Sequence, residues 1–351
     1  METTLNSILK HHPIRSSVTK SNFPVVISQD GNDSKTAEVV RHYCDTVFPL
    51  HNIICFRMEY QHDSDIKLRN TKIKKEKRWS SNMMYEHISG HLYFALDKIF
   101  SGAVIKQKIS NRSVTRKIPN QVIILEEDIM IAPDFFGYFE ALAPLLASDD
   151  SLLSVSAWND NGRNGTVKDT TRLLRSDFFP GLGWMMPIRV WDEIKVHWPR
   201  RYWDDWLRQP QQRKERKTIR PEVSRSYHFG LSGGASGLLN KRDSLKSIML
   251  NSKLINWSQI DLSYLGASNF HRQYMTNVSM APLQPSLKNA LESVKLEDVR
   301  LLYKSSLGFR KLAIELKLLY DEKAGILRSS YNGIVETRPF GENILYLVPF
   351  E

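Results

Sequence analysis

Short apolar runs alternate with helical periodicity over the first half of the chain. Pro24–Ser28 (PVVIS) is an apolar run that ends in polar Gln29-Asp30-Gly31, and a helix-like segment follows from Lys35 to Tyr43. This predicts a strand, a loop and a helix. Ile53–Phe56 reads as a second strand, and Tyr85–Phe100 (YEHISGHLYFALDKIF) spaces its apolar residues as an amphipathic helix does. Val122–Leu125 (VIIL) predicts a third, buried strand that stops abruptly at Glu126-Glu127-Asp128; a helix over Pro133–Leu146 and a fourth strand over Leu152–Ala157 come next. Strands alternating with helices predict an α/β fold with a mostly parallel sheet covered on both faces. The pattern changes near residue 230, where Gly230–Gly237 (GLSGGASG) has the composition of a linker or mobile loop. The last sixty residues carry a predicted helix, Phe309–Tyr320, and alternating segments such as Ile344–Val348, which suit a small second domain.

With 351 residues, 41% of them apolar and 25% charged, the chain has the composition of a globular protein with a sizeable core. It has no run of about 18 apolar residues, so no membrane span is expected within it. Its opening, METTLNSILKHH, lacks the apolar stretch of a signal peptide. Five Asn-X-Ser/Thr sequons, at Asn32, Asn111, Asn164, Asn256 and Asn277, are a low-specificity signal in the other direction. Cys44 and Cys55 make no disulfide framework; they could form one disulfide, and two buried, inert thiols are the expected reading. The net charge of +11 raises the question of nucleic acid. Much of the excess lies in residues 67–78, with seven basic side chains, and 106–117, with five. Both segments lack periodicity and read as solvated loops, so nucleic acid is not expected as a partner.

Ligands of open α/β sheets bind beyond the carboxyl ends of strands. Glu126, Glu127 and Asp128 stand at such an end. A helix cap or solvated turn accounts for one acid, whereas a hard divalent cation would neutralise all three. Tyr202-Trp203-Asp204-Asp205-Trp206 reads either as a helix start with buried tryptophans or as a pocket wall for a sugar, with an acid able to act as general base. Asp177–Trp184 (DFFPGLGW) is a tight glycine-containing loop and not a dinucleotide fingerprint; Ser156–Gly162 (SAWNDNG) ends the fourth strand in a polar turn. His91, alone on an apolar helix, reads from its pattern as a satisfied core residue.

These segments resemble one family. ISQDG at 27–31, APDFF at 132–136, SAWNDNG at 156–162, DFFPGLGW at 177–184, WDDW at 203–206, RPEVSR at 220–225 and DLSYL at 261–265 occur in the same order in the alpha-1,3-mannosyl-glycoprotein 2-beta-N-acetylglucosaminyltransferases. The resemblance runs from about residue 4 to residue 349, and a related group acting on O-linked mannose shares much of it. It implies a glycosyltransferase-A type, Rossmann-like nucleotide-binding domain with a small C-terminal domain. The divisions expected are a catalytic domain over 1–230, a mobile loop and linker over 231–267, and the small domain over 268–351.

The resemblance also implies roles. Asp128 matches the acid that chelates Mn²⁺ on the donor diphosphate, and Glu127 stands where the family has an aspartate that contacts the nucleotide. Asp30, His91 and Ser236 match donor-binding residues, and Asp204 matches the catalytic base. The donor implied is UDP-N-acetylglucosamine and the acceptor a mannose of a glycoprotein glycan. Gly31, Ser154 and Thr218 occupy three of four positions that form two disulfides in animal members. The strand with which the family opens, and its nucleotide-gripping arginine, have no counterpart before LNSILKHH. An N-terminally truncated chain is therefore expected, whose longer form would add a membrane anchor and lie in the Golgi lumen as a type II protein.

Overall fold

The computed structural model describes residues 1–13, 23–61, 81–104, 118–230 and 246–350. Contacts divide the chain into two units, neither contiguous. One is built chiefly from Met1–Val122 and Ile188–Trp206; the other takes Ile123–Pro187, Leu207–Leu231 and Leu238–Glu351. Among the described residues no helix is long and apolar enough to cross a membrane.

In the first unit, helix α1 (Glu2–His11) buries Leu5 and Ile8, and its Asn6 accepts a hydrogen bond from the Tyr43 hydroxyl at 2.8 Å. Strand β1 (Val25–Asp30) leads into α2 (Ser34–His42), whose first turn is capped by the Asp33 carboxylate accepting from the Thr36 amide at 2.7 Å. A wide turn over Tyr43–Val47 follows, then β2 (Cys55–Tyr60). The two strands pair in parallel from Val25–Cys55 to Asp30–Tyr60, as a strand–helix–strand crossover requires. Helix α3 (Ser81–Phe100) packs on this pair, with Phe94, Ala95 and Ile99 against Phe56, Met58 and Val104. The two cysteines are not free thiols: a disulfide joins Cys44 to Cys55, their Cα atoms 5.1 Å apart. The turn after α2 carries Cys44 back beside the first residue of β2, a closure that spacing alone does not reveal.

The second unit holds β3 (Gln121–Ile124), β4 (Ile129–Ile131), α4 (Phe135–Ser148), β5 (Leu152–Ser156), β6 (Leu173–Ser176), β7 (Trp184–Pro187), β8 (Lys217–Pro221) and β9 (Ser226–His228). Its central sheet has the order β3-β7-β5-β8-β6. β5 runs parallel to β8, but β7 is antiparallel to β5 and β6 to β8. The sheet is therefore mixed rather than mostly parallel. DFFPGLGW joins β6 to β7, which run parallel to each other on either side of the β5–β8 pair, and it spans the two intervening strands, about 14 Å, without a helix. It turns at Gly181, Leu182 and Gly183, all at positive φ (72°, 53° and 85°). Ser154 and Thr218 are register partners on β5 and β8, and their buried hydroxyls lie 2.9 Å apart, so a hydrogen bond stands at two positions where the resemblance implied cysteines in animal members.

The C-terminal part continues with α5 (Ala267–Met280), β10 (Leu283–Gln284), α6 (Leu287–Ser293), β11 (Val299–Tyr303), α7 (Ser306–Glu315), a small hairpin of β12 (Glu322–Lys323) and β13 (Ile326–Leu327), β14 (Val335–Thr337) and β15 (Leu345–Pro349). A second sheet, β10-β11-β15-β14, packs Val299, Leu301, Leu345 and Leu347 against Phe309 of α7 and Ala290 of α6.

A buried charge network ties this part to β8. The Glu222 carboxylate accepts from the amides of Lys168 (2.8 Å) and Asp169 (3.0 Å), from Arg172 (3.1 Å) and from Arg338 (2.8 and 3.1 Å). Burial pushes its pKa up, but the Arg338 hydrogen bonds and the charges of Arg172 and Arg338 outweigh this and hold it near about 2 against an ordinary 4.5. The folded carboxyl is thus the stronger acid, so its contribution is complete above pH 4.5 and is lost as the pH falls toward about 2. The shift corresponds to about 3 kcal/mol. Melting temperature measured from pH 5 to pH 2.5 should fall steeply for the native chain. For Glu222→Gln the fall should be shallower, from a lower starting point; superimposable slopes would remove the network from the acid response.

Candidate functional site

In the first unit, chemistry gathers at the carboxyl end of β1. Asp30 is its last residue and is exposed. Ser28 lies two residues earlier and so projects from the same face; its hydroxyl is 2.8 Å from His91 Nε2 of α3. The His91 ring stacks on Tyr60, with centroids 5.8 Å apart and planes 19° apart, and Tyr60 is the register partner of Asp30. Glycine at 90 leaves room for the Tyr60 ring: a Cβ there would stand 2.7 Å from its hydroxyl and would displace it. The sequence pattern made His91 a core residue, yet the structure leaves it half-buried and brings it beside the strand end that carries Asp30.

Asp204 and Asp205 begin the short helix Trp203–Leu207. Tyr202 precedes them at φ 52°, a left-handed conformation uncommon for a tyrosine, and is 40% exposed. Its ring lies 4.5 Å from that of Tyr85 on α3. Burial raises the Tyr85 pKa first, then Tyr202 and the carboxylates of Asp204 and Asp205, so Tyr85 stays protonated and able to donate a hydrogen bond. The segment beneath is fixed by tryptophan: Trp198 stacks on Trp203 (6.2 Å, 11°) and donates through Nε1 to the Ser89 carbonyl at 3.0 Å. WDDW is thus both a helix start on packed tryptophans and a half-exposed aromatic wall beside two acids.

The three consecutive acids divide in the second unit. Glu126 and Glu127 are exposed, whereas Asp128 is half-buried ahead of β4. β4 pairs antiparallel with β9, and the Phe229 amide donates to the Asp128 carbonyl at 3.0 Å, extending the ladder by one step. This brings His228, the end of β9, to Asp128, with Nε2 3.0 Å from Oδ2. The carboxylate hydrogen bond is the largest influence on His228 and raises its pKa against the effect of burial. Among the described residues, nothing donates a hydrogen bond to the buried Asp128 Oδ1.

Behind the ribbon, Arg225 and Asp134 are both fully buried. Asp134 accepts from Trp257 Nε1 (2.9 Å), Asn251 Nδ2 (2.8 Å) and Arg225 Nε (3.2 Å). The Arg225 backbone bonds to Ala157 (2.6 Å) and Ala132 (2.9 Å), linking β4 and β9 to the end of β5. DFFPGLGW and SAWNDNG meet here too: the Ala157 amide donates to the Gly183 carbonyl at 2.7 Å, and a Cβ on Gly183 would stand 3.2 Å from that of Ser226.

A divalent cation fits the Asp128 position on two grounds: a buried carboxylate oxygen left unsatisfied, and Gly230, where an added Cβ would collide with that carboxylate. Among the described residues no three His, Cys, Asp or Glu side chains converge as a metal cluster. A cation at Asp128 would therefore complete its shell with water and substrate oxygens, as hard cations on nucleotide phosphates do.

Ser236 lies outside the described residues, as do both basic segments, 67–78 and 106–117. Sequence reasoning passed over His228, Tyr60 and Tyr85. For His228, whose partner is a hundred positions away, there was no signal.

Two comparisons bear on kinship. The chain is 36% identical over 340 residues to alpha-1,3-mannosyl-glycoprotein 2-beta-N-acetylglucosaminyltransferase of Arabidopsis thaliana, an overlap covering 96% of this chain and 68% of that protein. Its residues 1–351 match the GNT-I family from end to end, and to the GNT-I family this chain belongs.

Proposed function

We propose that this chain transfers N-acetylglucosamine from UDP-N-acetylglucosamine, in β1,2 linkage, to the α1,3-linked mannose of a high-mannose N-glycan, on a glycosyltransferase-A type fold. The observation that carries this reading is the family match over the whole chain with Asp204 and Asp128 in place. Asp30 and His91 would hold the nucleotide, with Ser236 also on the donor. Glu127 keeps the charge of an aspartate one methylene further out and would still accept a hydrogen bond from the nucleotide.

Asp204 removes the proton of the mannose 2-hydroxyl. The oxygen then attacks the anomeric carbon from the face opposite UDP, the bond to the diphosphate breaks, and the configuration inverts from α to β. One carboxylate suffices, since no glycosyl–enzyme bond forms. Mn²⁺ held by Asp128 would neutralise charge on the leaving diphosphate. A high-mannose N-glycan acceptor would put the reaction in the Golgi lumen. Of the five sequons, the four among the described residues, Asn32, Asn164, Asn256 and Asn277, are exposed, as glycosylation there needs.

The test is transfer from UDP-N-acetylglucosamine to a high-mannose glycan and, in parallel, to an O-mannosyl peptide, with linkage read by NMR. A β1,2 product on the N-glycan alone is expected; product only on the peptide would move the assignment to O-mannose, and none on either would refute it. Cation dependence is measured separately. Titration calorimetry should show weak UDP binding in EDTA, restored by Mn²⁺, and equal affinity in both would remove the metal from the donor site.

A further inference from the structure

Resting on the reading that a divalent cation accompanies the donor at Asp128, we propose that Nε2 of His228 is a second protein ligand to that cation. The site then has a mixed oxygen–nitrogen donor set. Its two members come from the two strands of the β4–β9 ribbon.

Geometry is the first support. Ligands at right angles on a cation, with bonds of about 2.1 Å, are separated by about 3.0 Å. His228 Nε2 and Asp128 Oδ2 are 3.0 Å apart. The ribbon fixes this separation, because Ile129 is the register partner of His228 and the Phe229 amide is bonded to the Asp128 carbonyl. No large rearrangement is needed to put one cation against both atoms.

Satisfaction of the carboxylate is the second. Elsewhere the protein surrounds its buried acids with donors: Asp134 receives three side-chain hydrogen bonds, from Trp257, Asn251 and Arg225. At Asp128 the bond is to the imidazole, and the buried Oδ1 receives none from the described residues. A carboxylate held only for structure would be a poor construction. A carboxylate awaiting a cation would look like this one.

Access is the third. Asp128 and His228 keep 27% and 18% of their side-chain surface exposed. Glycine at 230 keeps out a Cβ that would press on both, on the carboxylate and within 3.1 Å of His228 Cε1. To ligate, Nε2 offers its lone pair and the ring hydrogen rides on Nδ1. The hydrogen bond between the two side chains is then exchanged for a bond from each to the cation.

The imidazole has a chemical consequence. Nitrogen ligands favour cations such as Co²⁺ and Zn²⁺, and Mn²⁺ tolerates them, whereas Mg²⁺ prefers an all-oxygen shell. Selection against Mg²⁺ would thus be written into β9.

The experiment uses the whole chain with Mn²⁺ and saturating UDP, read by electron paramagnetic resonance. Pulsed spectra should show nitrogen coupling of directly bound imidazole, changing when histidine is supplied as the ¹⁵N form. His228→Asn should abolish that coupling and raise the Mn²⁺ dissociation constant at least about tenfold. Mg²⁺ should compete against Mn²⁺ better in the variant than in the native chain. Bound Mn²⁺ without nitrogen coupling, or a His228→Asn chain that binds it as tightly as the native one, would overturn the proposal and leave the imidazole as a partner of the carboxylate only. Undiminished binding in Asp128→Asn would instead overturn the cation reading on which the proposal rests.

Discussion

Replacing Asp204 by asparagine should lower turnover by at least about 100-fold, the scale set by losing a positioned general base. The affinity for UDP-N-acetylglucosamine should hardly change. Both expectations follow from position. Asp204 opens a short helix on the stacked Trp198 and Trp203 rings. The amide keeps that packing and the hydrogen-bonding shape while losing the ability to take a proton. Asp205 shares the same first turn and serves as the internal control, so Asp205→Asn should keep most of the activity. Steady-state rates with acceptor varied, alongside donor affinity by calorimetry, separate the two carboxylates. An inactive Asp205→Asn beside an active Asp204→Asn would reverse the assignment. A loss of donor affinity in Asp204→Asn equal to its loss of rate would make the residue a binding group instead.

The largest effect on stability is expected from the buried pair behind the β4–β9 ribbon. Truncating Asp134 to alanine leaves Arg225 charged and fully buried, with the Trp257 and Asn251 donors unmet. Breaking such a pair costs about 3–5 kcal/mol, mostly because the remaining charge is stranded. Asp134→Asn should cost less, since one oxygen stays to accept from Trp257. Arg225 has further anchors, its guanidinium lying 5.0 Å from the Trp257 ring and donating to the carbonyls of Val223 and Thr170. The measurement is denaturant unfolding with tryptophan fluorescence, and a loss below about 1 kcal/mol for Asp134→Ala would contradict the account.

The sequence spoke clearly where a physical pattern repeats locally. The apolar runs of PVVIS and VIIL, the spacing of YEHISGHLYFALDKIF and the polar residues that end each strand located β1, β3, α3 and the carboxyl-end residues Asp30 and Asp128. It was silent where the cause is non-local. Strands β6, β7 and β9 are three or four residues long and carry arginine, methionine, proline or histidine, so no period can be read from them. Their antiparallel pairing, of β6 with β8, β7 with β5 and β9 with β4, joins segments far apart in the chain and is a tertiary outcome. The Cys44–Cys55 bond depends on a turn of the Tyr43–Val47 segment that nothing in the spacing announces. Asp134 and Arg225 stood inside recognised motifs, APDFF and RPEVSR, but that they meet in a fully buried pair becomes visible only once the strands are in place.

That disulfide has a consequence for the chain before it folds. It closes a loop of 11 positions, short enough that the open chain brings the two residues together more often than it would the ends of a long loop. By the loop-entropy relation, the link withdraws about 3 kcal/mol of conformational freedom from the unfolded ensemble. The loop it ties contains the turn that returns the chain from α2 to β2, the step on which the parallel pairing of β1 and β2 depends. With the thiols reduced, this crossover must be found and held by packing alone. The first unit would then open more readily than the second, which contains no cysteine. A single covalent link thus makes the cohesion of one unit answer to the redox state of its surroundings and leaves the other indifferent to it.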